Sequence, residues 1–182
     1  YGLVYHYFKN KDELLESVFT SGWAGFVEGL TEQVSKGATL EERVRGVICV
    51  AFDAYKRDPR GVKVLILEVG RSPSGGAVNR GSAFRDVIRL VALLFQEAKE
   101  KGQLKAEMDP LLAAAHLFGA IEMGLTAFVL GLVDRKDDGV LERARDQVVE
   151  TFLRGVVPAL GAGEESWTNA KSSSKSRAQR RA

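Results

Sequence analysis

The sequence has one cysteine, four prolines and two histidines in 182 residues. Each scarcity excludes something. The lone thiol, Cys49, cannot close an internal disulfide, so folding does not rest on an oxidised framework. There is no sustained alternation of β-branched residues and no Asn-Gly hairpin, which argues against a β-rich fold. No run reaches the roughly 18 to 20 unbroken apolar residues of a membrane-spanning helix. The most apolar stretch, Leu111 to Val133, is interrupted by His116 and Glu122 and reads as a buried bundle helix. The opening residues lack the basic-then-apolar layout of a secretion signal, so a cytoplasmic protein is expected. Paired-histidine metal spacing, a P-loop, G-x-S-x-G and CxxC are all missing. With His6 and His116 far apart, neither an enzyme nor a metal or cofactor site is expected.

Charge is balanced only on average. Lys and Arg total 26 and Asp and Glu total 24. Five of the bases, Lys171, Lys175, Arg177, Arg180 and Arg181, lie in an acid-free tail. The remaining body holds 21 bases against 24 acids, a net of −3. It lacks the broad basic footprint of a nucleic-acid binder, so any DNA contact must come from a small local patch. Residues 164–182 carry little apolar content apart from Trp167 and are expected to be disordered.

Helical spacing recurs through the rest and predicts an all-α bundle of six helices. The first runs from Lys11 to Val34, with Leu15, Val18, Phe19, Trp23, Phe26 and Leu30 on a continuous stripe. Thr39 and Glu42 form a capping-box pattern that opens the second, which stops near Asp58-Pro59. A short helix from Arg60 to Val69 gives way to the turn-rich segment 70–76. The fourth helix runs from Asn79 to Lys101, with Gly102 as its stop. Asp109-Pro110 opens the fifth, apolar nearly all round to Val133, and the sixth spans Val140 to Val157.

The segment Gly2-Leu3-Val4-Tyr5-His6-Tyr7-Phe8-Lys9-Asn10-Lys11-Asp12-Glu13 is the most informative. Four consecutive aromatics cannot share one helix face, so some must be exposed. Hydroxyls, ammonium groups and backbone N–H groups at a helix start all suit phosphate. The segment resembles the end of the helix-turn-helix of TetR-family regulators, where an aromatic cluster and a Lys-x-Lys turn lead into a long linking helix. That resemblance implies that Tyr5 and Lys11 grip the DNA backbone, with His6 and Tyr7 at or near the same surface and Phe8 packed inside. It also places residues 1–10 at the end of a DNA-binding domain whose greater part precedes Tyr1. Base readout requires a recognition helix in the major groove, so operator specificity is not expected of this chain by itself.

The same resemblance makes residues 11–163 a ligand-binding and dimerisation domain, and the protein a dimeric repressor released from operator DNA by a small apolar effector. The last two long helices would form the dimer interface. The small residues Ala113, Ala120, Gly124, Ala127 and Gly131 of the fifth would allow close approach, with Val148, Phe152 and Val156 from the sixth. A sensor needs an apolar cavity with a few polar groups; Phe52, Tyr55, Leu65, Phe84, Ile88, Phe118 and Glu122 are its candidate lining. Leu67-Glu68-Val69-Gly70-Arg71-Ser72 and the Gly102-Gln103-Leu104 to Asp109 connection are similar to regulators of fatty-acid degradation. This implies acyl-CoA as effector, with Arg71, Arg80, Arg85 and Arg89 available to its phosphates. The alternative is a helical ligand-binding or interaction module that never reads DNA.

Overall fold

In a computed structural model the described residues are 7–36, 39–69, 77–134 and 139–157. They form six helices: α1 (Lys11–Ser35), α2 (Leu40–Arg57), α3 (Pro59–Val69), α4 (Ala77–Glu100), α5 (Pro110–Val129) and α6 (Val140–Val156). The fold is all-α among these residues. Helices α1 and α2 pack on each other across a short connection, as do α4 and α5, while α6 closes the bundle against α2 and α5.

The helix starts follow from local chemistry. Thr39 and Glu42 make the full capping box, with Thr39 N–H donating to Glu42 Oε2 at 2.9 Å and Glu42 N–H to Thr39 Oγ1 at 3.2 Å. Such reciprocal bonding satisfies two donors that a helix start leaves unpaired. Asp109 accepts from Leu112 N–H at 2.9 Å, with Pro110 in the first turn. Asp58-Pro59 repeats this arrangement, Asp58 Oδ1 accepting from Gly61 N–H at 2.9 Å. Pro59 therefore opens α3 as well as interrupting α2, because its missing N–H and fixed φ suit a first helical position.

The fifth helix stops at Val129, four residues before the expected Val133. Gly131 adopts φ +71°, and Leu132 N–H donates to Ala127 C=O at 2.9 Å. Together with the bond from Gly131 N–H to Phe128 C=O this is a Schellman ending, which needs a left-handed residue that glycine supplies cheaply. Gly102 ends α4 in the same way, at φ +68°.

The core joins all the longer helices. Leu30, Val44, Ile48, Phe52, Val91, Phe95 and Leu117 are fully or almost fully buried, and Phe95 meets Phe152 at a ring distance of 5.8 Å. Helix α5 is by length and composition apolar enough to cross a membrane. Here it is the central helix of the bundle, burying Ala113, Ala114, Leu117, Phe118, Ile121, Leu125 and Phe128 against its neighbours.

One buried charge ties three helices together. Arg43 on α2, only 4% exposed, donates through Nη1 to Glu97 Oε2 on α4 at 2.7 Å and to the Val34 carbonyl of α1 at 3.3 Å. Lys101 also donates to Glu97, and these two cations, Lys101 foremost, hold the Glu97 carboxyl down to about 2. Its folded-state value lies below the ordinary 4.5. The stabilisation is therefore present above that ordinary value and lost as pH falls through the folded one. Glu97→Gln should flatten the acid side of a melting-temperature profile between pH 4.5 and about 2. A variant whose acid limb follows the parent's would contradict this.

Candidate effector cavity and outer faces

Helix α1 carries glycine at positions 22, 25 and 29, on or beside the face that bears Trp23 and Phe26. Interior glycines cost a helix roughly 1 kcal/mol each relative to alanine, so three in one helix call for a reason. At Gly22 and Gly25 a Cβ would meet nothing within 4 Å, whereas at Gly29 it would lie 3.1 Å from Val50 Cγ1. Gly29 serves the close packing of α1 on α2. The other two border open space.

That space is a half-open cavity of about 960 Å³ bordered by α1, the end of α2, α3, α4 and α5. Its wall is mainly apolar: Phe8, Leu14, Gly22, Trp23, Phe26, Val62, Ile66, Phe84, Phe118, Ile121 and Leu125 line it, with Ser17, Arg57, Asp58 and Glu122 as polar members. Phe84 bridges the aromatic rings on opposite sides, 6.5 Å from Trp23 and 5.8 Å from Phe118. A smaller groove of about 590 Å³ lies between α1 and α2, sharing Gly25 and Arg57 with the cavity and bearing Glu28, Glu32, Asp53 and Lys56.

Of the effector residues expected from sequence, Phe84, Phe118 and Glu122 come together on this wall. Phe52 and Tyr55 sit in the core instead, Tyr55 packing on Phe128 at a ring distance of 6.0 Å. Ile88 is half-buried against the core. The side chain of Leu65 lies outside the described residues. Most of the α1 wall was not anticipated, because its apolar stripe looks the same whether it faces a core or a hollow. The signal that separates the two is the pair of helix-interior glycines beside Trp23.

The DNA-facing candidates are placed in part. Tyr7 is 76% exposed. Asn10 caps α1, its Oδ1 accepting from Glu13 N–H at 2.8 Å, while Glu13 Oε2 accepts from Lys9 N–H at 2.6 Å. These bonds fix the turn that joins the aromatic cluster to the long helix. Phe8, inside that cluster, reaches the cavity wall. Tyr5, His6 and the side chain of Lys11 lie outside the described residues. So do Arg71 and the side chain of Arg80, whereas Arg85 and Arg89 are exposed on α4 and Arg89 pairs with Asp86.

On the far side of α5 from the core, helical geometry puts Leu112, His116, Gly119, Met123 and Leu130 on one stripe. All five are exposed, Met123 at 68%. Ala120 and Ala127 flank the stripe and are half-buried. Ala113, Phe152 and Val156 are buried in the protomer's own core. Gly124 faces α6, where a Cβ would lie 3.3 Å from Val148 Cγ2. Cys49 is half-buried and burial pushes its thiol up, the setting of an unreactive thiol.

This arrangement of helices has known counterparts. The C-terminal region of YsiA-like proteins, a TetR-family domain, matches residues 19–153. The chain belongs to the TetR family of regulators. It is 27% identical over 155 residues to the fatty acid metabolism regulator protein of Bacillus subtilis strain 168, covering 85% of this chain and 78% of that protein. Crystal structures agree. The fatty acid degradation regulator FadR of Bacillus halodurans is similar with a TM-score of 0.69 and 27% identity, over 85% of this chain and 81% of its own. FadR from Bacillus subtilis in complex with stearoyl-CoA gives the same TM-score, identity and coverage. The TetR-family members it matches are transcriptional regulators, and nothing in the described residues groups three or more His, Cys, Asp or Glu side chains around a metal position.

Proposed function

We propose that this chain is a dimeric, ligand-responsive repressor of the TetR type, released from operator DNA when a long-chain acyl-CoA fills the cavity between α1 and α5. One observation carries the reading. The cavity is lined by Phe8 at the end of the DNA-facing motif and by Phe118 of the central helix, so one ligand touches both the reading head and the body. A ligand shifts a two-state equilibrium only by its differential affinity for the states. A chain seated against Phe8 and Leu14 acts where α1 leaves the DNA-facing segment. The cavity's size and mainly apolar wall suit an acyl chain, and the relative that binds stearoyl-CoA supports that class.

In this reading residues 1–10 close the DNA-binding domain, with Tyr5, His6, Tyr7 and Lys11 towards phosphate. Residues 11–163 sense and dimerise in the cytoplasm, and the basic tail, 164–182, adds salt-sensitive, sequence-independent attraction to nucleic acid. Arg85 and Arg89 of α4 are exposed and available to the phosphates of the ligand's head.

Stearoyl-CoA should raise the melting temperature in a saturable manner, since a ligand at a hundred times its Kd stabilises by about 2.7 kcal/mol. Coenzyme A alone should not. Equal shifts from both would place recognition in the head rather than the chain and overturn the role given to the cavity.

A further inference from the structure

We infer that α1 is a jointed helix: residues 29–35 form a base fixed to the bundle, and residues 11–21 form an arm that tilts on it about Gly22 and Gly25. The inference goes beyond the effector reading and holds whatever fills the cavity. The base is held from several sides. Gly29 lets α1 close on Val50 of α2, Leu30 is fully buried, and Gln33 occupies the space that a Cβ on Gly46 would need. The Val34 carbonyl accepts from Arg43, whose guanidinium is tied in turn to Glu97 of α4. Tilting the base would break this tie among three helices.

One turn earlier that support ends. Gly22, Ala24 and Gly25 are exposed, and a Cβ on either glycine would meet nothing within 4 Å. Trp23 and Phe26 are half-buried and border the hollow. At this level α1 has water on one side and the hollow on the other, with the Trp23 ring reaching across to Phe84. The backbone hydrogen bonds must therefore hold the helix straight with little help from packing. Alanine in place of an interior glycine favours the helical state roughly five-fold, and two such positions together roughly 20-fold. Sharp bends without proline recur where Gly and Ser are paired, and Ser21-Gly22 is such a pair. The arm ends at Asn10 and the turn fixed by Lys9 and Glu13. A tilt at the joint thus moves the aromatic motif while the core stays packed.

Distances between nitroxide spin labels on the ligand-free chain test the joint, in a Cys49→Ser background and with labelled chain diluted into unlabelled so that each distance lies within one protomer. Glu13→Cys with Gln96→Cys reports the arm against α4, and Glu32→Cys with Gln96→Cys reports the base; all three positions are exposed. In the parent the arm distribution should be broad, with a bent population, and the base distribution narrow. Gly22→Ala combined with Gly25→Ala should cut the bent fraction roughly 20-fold, bringing the arm to the width of the base and leaving the base unchanged. Equally narrow arm and base distributions in the parent would overturn the joint. So would a broad arm distribution that the two alanines leave as it is. Either failure leaves the effector site standing, because no ligand enters the measurement.

Discussion

Replacing Gly22 with leucine should leave the protein folded and at least as heat-stable as the parent, while weakening long-chain acyl-CoA binding by about 100-fold or more, or about 2.7 kcal/mol. The two effects have separate causes. Within an exposed helix interior, leucine is favoured over glycine by about 0.8 kcal/mol. The new side chain meets no clash, because a Cβ at this position has nothing within 4 Å. Its remaining atoms extend into the hollow beside Trp23 and Phe84, where the acyl chain is proposed to lie. Under the proposed reading, the regulator with this substitution should stay on its operator in cells when fatty acids are supplied. Unchanged acyl-CoA affinity with an intact fold would show that the chain binds elsewhere.

The second large effect concerns assembly. Leu112→Asp combined with Met123→Asp should convert a dimer into a monomer at micromolar concentration, as read by sedimentation. Both side chains are exposed in the protomer, at 57% and 68%, on the outer stripe of α5. A two-fold interface uses the same patch from both subunits, so each substitution places a charge on both sides of it. An unpaired charge buried in such a patch is costly. The core of the protomer is untouched, because Ala113, Leu117 and Phe128 face the other way. The melting curve should therefore remain cooperative. A double variant that sediments as the parent does would move the interface off this stripe.

Much of the fold was legible because its boundaries are set by local chemistry. Thr39 with Glu42, Asp109 with Pro110, and Gly102 each act within a few residues of sequence, and each acts in the structure as its residue type suggests. The end of α5 was misjudged by four residues for an instructive reason. Leu130, Leu132 and Val133 continue the apolar pattern, but Gly131 turns the chain, and apolar character does not by itself keep a helix going.

The cavity was less legible. Periodicity says that one face of a helix avoids water, not whether it meets a neighbour or a hollow. Phe52 and Tyr55 have the composition of a ligand wall, yet sit in the core, while Trp23 and Phe26 on α1 border the open space. Helix α5 posed the same difficulty. It is apolar nearly all round, and only the packed bundle reveals that Ala113 turns inward while Leu112 and Met123 are left uncovered. Phe8, read from the motif as packed inside, lines the cavity, which its sequence neighbours do not reveal.

Trp23 offers the most direct test that an acyl chain occupies this cavity. The chain has two tryptophans, so Trp167→Phe leaves Trp23 as the single indole. Excited at its red edge during titration with palmitoyl-CoA, Trp23 should show a saturable change in intensity and a blue shift, complete at one ligand per protomer. Gly22→Leu should abolish that change. Tight binding of palmitoyl-CoA with no change in Trp23 emission would contradict the account.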